Sequence, residues 1–189
     1  MLFIEAFFSG LLCGWLRGGT INNLTQQPLR LLPLAAAAFL LQRVLNIGIF
    51  QSSFLIFFVP YFHMLSYFFL FIFLFQNRKL PGIKVMGTGI FLNFLVIAFN
   101  GGAMPVSPVR LTPEVIEFLM QGGDPLHTIV AAQTRLVFLA DIIPVHLPTG
   151  GYYLSIGDII LALGLFYFLQ KCMRKKRRRQ LTPLKSFGT

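Results

Sequence analysis

Hydrophobic residues divide the chain into five apolar segments separated by polar connections. These segments lie at about Met1–Leu16, Leu29–Phe50, Phe54–Phe75, Ile83–Phe99 and Ile156–Cys172. Apolar runs approaching about 20 residues are typical of helices that cross a bilayer. The first segment is short for a full span and requires either local thinning of the membrane around it or a tilted neighbouring helix. The pattern therefore predicts an all-α membrane bundle of about five transmembrane helices.

Composition favours a membrane protein over a soluble domain. Of the 189 residues, 56% are hydrophobic, 12% are charged and 22 are phenylalanine, whereas a soluble domain carries about a quarter charged residues. The first apolar stretch has no basic region ahead of it, which favours a retained span over a cleaved signal peptide. We predict one bundle over residues 1–172 and a basic cytoplasmic tail over residues 173–189.

The placement of charge predicts the orientation. With the C-terminus in the cytoplasm and the N-terminus outside, thirteen of sixteen basic residues lie inside and all six acids lie outside. This is the asymmetry expected for a multi-pass membrane protein with a cytoplasmic C-terminus. Eight basic residues lie between Lys171 and Lys185, where they are expected to bind anionic lipid head groups or a protein partner. No aromatic residue interrupts this run, so no nucleic-acid partner is expected.

The connection over about residues 100–155 is predicted to form a folded outer cap. Thr112 occupies a helix N-cap position, a proline follows it, and Gly122 stands where the helix would end, which predicts a short helix. An Asp-Pro pair beginning at Asp124 repeats the start signal and predicts a second one. Apolar residues recur throughout the connection, which favours a cap folded back onto the bundle over a free loop.

Polar residues concentrate at the predicted outer face. The turn NGGAMPVSP begins at Asn100 and contains two glycines that permit positive φ and two prolines that impose an extended path. It either only terminates the fourth helix or lines a ligand pocket with Asn100, Gly101 and Gly102. Three arginines of this face are further candidates for ligand binding: Arg43, Arg110 and Arg135. Arg43 either snorkels to the interface or pairs with a carboxylate.

Asp141, in FLADIIPVH, and Asp158, in SIGDIILALG, are the acids best suited to chemistry. Prolines and glycines between them allow a return hairpin, so the two carboxyls are predicted to meet at the outer mouth of the fifth span. Neighbouring carboxyls repel, so that one retains its proton while the other is ionised and can activate water. Ser155 also stands at the N-cap with Asp158 at N3, which is a capping-box pattern. Asp158 therefore caps the helix, takes part in catalysis or pairs with one of the arginines.

No spacing in the chain predicts a metal or cofactor site. His63 is expected to be a hydrogen-bonded helix residue, and His127 and His146 lie on the outer side without the spacing of metal ligands. Cys13 and Cys172 are expected to remain reduced and to pack against apolar neighbours.

Three segments, NFLVIAFNGGAMPVSP, TRLVFLADIIPVHLP and YYLSIGDIILALG, resemble the hallmark blocks of a family of small bacterial integral membrane proteins of unknown function. The resemblance covers roughly Val85–Leu169. It implies the same topology and the same outer polar cluster, and it implies no reaction.

A second and looser resemblance is to bacterial lipoprotein signal peptidase, whose catalytic aspartate pair lies at the outer membrane face. It implies that Asn100 is a pocket amide and that Asp141 and Asp158 are the two acids. Two features depart from that family: Ile142 stands where it has arginine, and Ser-Ile-Gly precedes the second aspartate where it has Phe-Asn-x-Ala.

Three functions are consistent with these observations. The first is a multi-pass membrane protein whose outer polar cluster binds a ligand, lipid or partner protein without chemistry. The second is an intramembrane aspartyl hydrolase or lipid-modifying enzyme that uses Asp141 and Asp158. The third is a small transporter subunit, for which broken or charged helices at the midplane would be expected.

Overall fold

The computed structural model describes residues 2–47, 54–147 and 150–174, and these residues are mostly helical. The helices are α1 Leu2–Leu16, α2 Ile21–Thr25, α3 Leu32–Leu45, α4 Val59–Gln76, α5 Ile83–Phe99, α6 Pro113–Met120 and α7 Ile156–Cys172. The predicted fourth and fifth segments coincide with α5 and α7. Pro33 lies in the first turn of α3, so that helix begins at Leu32 rather than Leu29. The basic tail beyond Arg174 and the His146 side chain lie outside the described residues.

The cap contains β-structure, which corrects the prediction of an all-α protein. Two pairs of short strands are present: β1 Met104–Val106 runs parallel to β2 His127–Ile129, and β3 Ile143–Leu147 runs antiparallel to β4 Gly150–Leu154. The first predicted cap helix is α6, but β2 replaces the second. The Asp124 carboxylate accepts from the Leu126 amide at 2.9 Å and closes a turn, and the β-branched residues that follow favour an extended strand over a helix.

Small residues allow α5 and α7 to pack closely. A Cβ atom on Gly89 of α5 would overlap the Gly157 carbonyl of α7, and one on Gly164 would lie 2.6 Å from the Met86 amide nitrogen. Glycine at such a contact lets two helix backbones approach directly. The contact places Asn93, one turn beyond Gly89, against the first turn of α7. α1 packs on the same helix α7, and α3 packs on α4.

Polar contacts join the helix ends opposite the cap. Asn23 Nδ2 donates to the Met173 carbonyl at 2.8 Å, which ties the short helix α2 to the end of α7. Asn77, buried at the end of α4, donates to the Arg30 carbonyl at 2.8 Å and accepts from the Arg30 amide at 2.9 Å. These contacts hold together, at one end of the helices, the loops whose basic residues the sequence predicts to be cytoplasmic.

The cap folds back onto the other end of the helices. Leu126 is buried against Leu45 of α3 and Val59 of α4. Leu139, in the 3-10 turn Val137–Leu139, belongs to the main core between the helices. Burial of these apolar side chains fixes the cap against the mouth of the bundle.

One described helical segment is long and apolar enough to cross a membrane, and it is Leu55–Gln76, which has 22 residues. It consists of α4 and the 3-10 turn Leu55–Phe58 that precedes it. The helices α1, α3 and α5 are also apolar, but they have 15, 14 and 17 residues.

Candidate functional site

Asp141 is positioned by its backbone at the edge of the small parallel sheet. Its amide donates to the Pro105 carbonyl and its own carbonyl accepts from the Ser107 amide, both at 2.9 Å, so Asp141 pairs with Val106 as a third strand would. The opposite edge of β1 pairs with β2, which begins at His127. Two distant parts of the cap thereby bring His127 and Asp141 to the same region.

Asp158 is fixed in the first turn of α7 by the predicted capping box. Its amide donates to Ser155 Oγ at 2.9 Å, and its Oδ2 accepts from the Ser155 amide at 3.2 Å. Its Oδ1 accepts from Asn93 Nδ2 at 2.7 Å, and Ser155 Oγ donates to Asn93 Oδ1 at 2.8 Å. Asp158 therefore caps its helix through one oxygen and is tied to α5 through the other.

The two acids line one cavity of about 180 Å³ between the cap and the helices, which we call the acidic cavity. Its other polar lining comes from Gln42, His63, Tyr67, Asn93 and His127. A second cavity of about 340 Å³ extends toward α1 and is lined by Tyr153 together with Asp141, Asp158 and His127. The volume of this second cavity falls within the range of small-molecule sites. The structure thus places both acids and His127 between two adjoining spaces.

Asp141 has the most perturbed electrostatics of the site. Its side chain is only 8% exposed, and among the described residues its Oδ1 has no hydrogen-bond partner. Burial, and after it the negative charge of Asp158, raises the pKa of Asp141 to about 7, although the positive charge of His127 opposes this. An unpaired buried carboxyl is costly to the fold unless it is protonated or a ligand supplies a donor.

His127 forms an ion pair with Asp124 at the entrance to β2, where Nδ1 lies 2.8 Å from Asp124 Oδ2. Burial lowers the pKa of His127, but the hydrogen bond and charge of Asp124, aided by Asp141 and Asp158, raise it overall. Burial alone would raise the pKa of Asp124, and the bond to His127 instead holds it below its usual range. The cavity therefore faces an imidazole that favours its charged form.

The turn NGGAMPVSP has a structural role at Asn100. The Asn100 amide nitrogen donates to the carbonyls of Val96 at 2.7 Å and Arg135 at 2.8 Å, and its oxygen accepts from the Arg135 amide at 2.9 Å. Asn100 thus joins the end of α5 to the cap. Neither Asn100 nor Gly101 or Gly102 lines the acidic cavity.

Gly102 is required where the turn crosses the start of α4. Its φ is +90°, and a Cβ atom there would lie 2.8 Å from the Pro60 Cα. The Gly102 carbonyl accepts from His63 Nδ1 at 2.6 Å. In the neutral ring this bond leaves His63 Nε2 as an acceptor. The turn therefore orients one of the histidines that line the cavity.

Replacing Gly102 with alanine is expected to lower the free energy of unfolding by about 3 kcal/mol, because left-handed strain of about 1–2 kcal/mol adds to the collision with Pro60. Gly101→Ala is the matched control, because Gly101 has φ +71° but open space around its Cβ position. Thermal unfolding in detergent measures both variants. Equal losses for the two variants would contradict the close contact with Pro60.

The three arginines predicted from the sequence do not line the acidic cavity. Arg43, Arg110 and Arg135 are exposed. Arg110 donates its backbone amide to Tyr153 Oη at 2.7 Å, and Arg135 contacts Asn100 through its backbone. The partners of Asp158 are Asn93 and Ser155 rather than an arginine.

Gln42 and Tyr67 are cavity residues to which the sequence analysis assigned no role. Gln42 of α3 donates to Ser66 Oγ of α4 at 2.8 Å, and the Tyr67 side chain is buried one residue further along. The signal available in the sequence was the presence of polar groups within otherwise apolar helices, which marks functional positions in membrane proteins.

The fold and site define a mostly helical protein whose small mixed cap covers an acidic cavity. Residues 26–170 match DUF5317, a family of unknown function, and the chain belongs to that family. This confirms the resemblance to an uncharacterised family. The matched range contains every residue that lines the acidic cavity.

A protein of Thermotoga maritima described as uncharacterized is 39% identical over 105 residues. The similarity covers 55% of this chain and 60% of that protein. No solved structure matches the chain.

Proposed function

We propose that the chain is a multi-pass protein of the bacterial cytoplasmic membrane and that its outer acidic cavity binds a small organic cation. Support for the membrane comes from large apolar side chains on the outer surfaces of the helices. Phe8, Leu40, Phe75 and Leu163 are 64%, 65%, 62% and 61% exposed, and they lie on α1, α3, α4 and α7. Apolar surface on four different helices is disfavoured in water and favoured in lipid.

The shorter helices are compatible with this proposal. Fourteen to seventeen residues extend over roughly 21–26 Å, and a bilayer accommodates such helices by thinning around them. Glycine contacts between α5 and α7 suit packing within a membrane, where close backbone approach drives association.

The distribution of charge supports an orientation with the cap outside the cell. Asn77 and Arg30 meet at one end of the bundle, and the loops there carry the basic residues. Asp124, Asp141 and Asp158 lie with the cap at the other end. The positive-inside rule then assigns the acidic cavity to the extracytoplasmic face.

The observation that supports cation binding most directly is the Asp141 Oδ1 atom, which is buried and lacks a hydrogen-bond partner among the described residues. The cavity lining carries the carboxylates of Asp141 and Asp158, and the charge of His127 is already paired with Asp124, so the ionised site has negative charge. His63 Nε2 adds an acceptor, and the Tyr67 ring adds an aromatic surface. A protonated amine supplies the missing N–H donors and the compensating charge.

Binding of an ammonium group is expected to compete with the proton of Asp141. Because the pKa of Asp141 is about 7, the affinity for the cation should increase about tenfold for each unit by which the pH is raised toward 7. Above pH 7 the affinity should stay constant. Titration calorimetry of the detergent-solubilised protein with methylammonium, ethylammonium and guanidinium between pH 5.5 and 8.5 measures this dependence.

Asp141→Asn should weaken binding of the cations by at least about tenfold and remove the pH dependence, since it removes the carboxylate that pairs with the bound ammonium group. Glu117→Gln is the matched control, because Glu117 is exposed on α6 and loses the same charge away from the cavity. Equal affinity in Asp141→Asn and the wild type, or no saturable binding of the three cations at pH 8.5, would contradict the proposal.

A second candidate function is hydrolysis by the Asp141–Asp158 pair. The observation that favours it is the asymmetry of the two acids: Asp141 has a raised pKa and an unpaired oxygen, whereas Asp158 accepts hydrogen bonds through both oxygens. A neutral acid beside an ionised carboxylate is suited to acid–base catalysis on a bound peptide or ester.

Hydrolysis would require both acids. Asp141→Asn and Asp158→Asn should each abolish incorporation of ¹⁸O from labelled water into the product of a lipid-linked peptide. Ser155→Ala should retain turnover; it should cost about 1 kcal/mol of stability for the lost cap and about 1–3 kcal/mol more for the Asn93 oxygen left unpaired. Turnover that survives either aspartate replacement would exclude this candidate.

A further inference from the structure

Two adjoining depressions lie at the end of the bundle opposite the acidic cavity. The first, about 320 Å³, carries three cationic residues, Arg30, Arg78 and Lys79. The second, about 680 Å³, is an apolar groove between α4 and α5. Its apolar lining consists of Phe71, Ile72, Leu74, Phe75 and Ile83. Arg78 and Gln76 line both, so the two spaces are continuous at that point.

The cationic depression is held together by a buried side chain. Asn77 is 3% exposed, and its amide group clamps the backbone of Arg30 with hydrogen bonds of 2.8 and 2.9 Å. A third bond, from Asn77 Nδ2 to the Phe73 carbonyl at 2.7 Å, fixes this amide on α4. The clamp brings Arg30, distant in sequence, next to Arg78 and Lys79.

The charge of this depression is uncompensated. Among the described residues, no aspartate or glutamate lines either depression. Arg78 lies with its guanidinium carbon 4.1 Å from the centre of the Phe75 ring, and it donates to the Phe75 carbonyl at 2.8 Å. These contacts direct the guanidinium to the boundary between the cationic depression and the apolar groove.

The apolar groove is an open depression lined by residues of α4 and α5. Phe75 and Ile72 remain 62% and 47% exposed on its α4 side. On the α5 side Gly87 leaves room, because a Cβ atom there would meet only Leu74 at 3.8 Å. Lys84 stands at the end of the groove nearest the cationic depression, as the residue one turn before Gly87.

We propose that these depressions form a site for one anionic phospholipid of the cytoplasmic leaflet, with its phosphate among Arg30, Arg78 and Lys79 and an acyl chain along the groove. A phosphate group supplies the negative charge that the depression lacks. A free anion would use the cationic part and leave the groove empty, whereas a phospholipid fills both. This inference requires the proposed membrane location but does not depend on cation binding in the acidic cavity.

The test uses the full chain, delipidated in detergent, with native mass spectrometry to count bound phosphatidylglycerol and phosphatidylcholine. The wild type should retain one phosphatidylglycerol in preference to phosphatidylcholine. The double variant Arg30→Gln/Lys79→Gln should bind phosphatidylglycerol about 30-fold more weakly, since each cation near a lipid surface contributes about a fivefold gain in affinity.

Two further variants separate a specific site from general attraction. Arg110→Gln/Arg135→Gln removes the same charge at exposed positions of the cap and should leave lipid retention unchanged. Gly87→Leu fills the groove without changing charge and should weaken retention by about tenfold, while inorganic phosphate should compete poorly with the lipid.

Three outcomes would overturn the proposal: equal losses in the two double variants, unchanged retention in Gly87→Leu, or full displacement of the lipid by inorganic phosphate. Methylammonium binding at pH 8.5, measured on the same variants, should be unaffected. A variant that loses lipid binding but still binds methylammonium therefore tests the lipid site separately from the proposed cation site.

Discussion

Replacing Asp141 with asparagine is expected to stabilise the protein progressively, relative to the wild type, as the pH rises from 4 to 8. The pKa of Asp141 is raised by burial and by Asp158 from 3.8 to about 7. Between these values the unfolded chain has lost the proton and the folded chain retains it, so stability falls as pH increases. At about 1.4 kcal/mol per pH unit, the wild type loses about 4 kcal/mol that the asparagine variant keeps.

The sign of this dependence is opposite to that of a paired surface acid. The contribution of the neutral Asp141 is fully present below about pH 4 and is lost as the pH passes through 7. Asparagine leaves an unpaired buried amide, which costs about 1–3 kcal/mol at every pH. The two stability curves should therefore cross, with the variant less stable in acid and more stable in alkali.

Chemical unfolding in micelles at several pH values between 4 and 8.5 measures the difference between the two proteins. His127, whose pKa is raised by Asp124, is present in both proteins, so its contribution largely cancels in that difference. Glu117→Gln, an exposed replacement on α6, is the control and should show no comparable rise. A constant difference between Asp141→Asn and the wild type would mean that Asp141 is not a buried, protonated acid.

The cost of burying Asp141 at neutral pH supports the proposal that it belongs to a functional site. Strongly perturbed carboxyls concentrate at functional sites because function requires what stability disfavours. Asp158 is different, since its carboxylate has a complete structural role in the capping box and with Asn93. Both proposed functions, cation binding and hydrolysis, therefore rest on the same acid, Asp141, and only hydrolysis also requires Asp158 as a reacting group.

Much of the helical architecture was predictable because it depends on local signals. The extent of the apolar segments predicted the first and last residues of α5 and α7 correctly. The spacing of Ser155 and Asp158 predicted a capping box, which the structure contains. Thr112 and Pro113 likewise predicted the start of α6. In each case the residues that determine the structure lie within a few positions of one another.

The remainder of the site depends on contacts between distant segments. Asp141 is located by pairing with Val106, thirty-five residues earlier in the chain, and no local pattern announces that pairing. The arginines were natural partners for the acids by charge, but backbone hydrogen bonds of Arg110 and Arg135 leave their side chains exposed. Gln42 and Tyr67 enter the cavity only because α3 and α4 pack beneath the cap.

Gly157→Ala is expected to cost about 3 kcal/mol or more and to disrupt the acidic cavity. An added Cβ atom would overlap the Asn93 side-chain oxygen and would lie 2.8 Å from the Gly89 carbonyl. Overpacking of this kind costs about 1–3 kcal/mol. The first turn of α7 must then move away from α5, which breaks the Asn93 bonds to Ser155 and Asp158 and leaves buried polar groups unpaired at about 1–3 kcal/mol each.

The control is Gly87→Ala on α5, where a Cβ atom meets only Leu74 at 3.8 Å. Alanine is the better helix former there and should leave the unfolding midpoint unchanged or raise stability by up to about 1 kcal/mol. Adding Asn93→Ala to Gly157→Ala relieves the overlap with the amide, so the double variant should lose less than the sum of the single losses. Additive losses, or equal midpoints for Gly157→Ala and Gly87→Ala, would show that α5 and α7 do not meet at these glycines and that Asp158 is not held beside Asp141 by this contact.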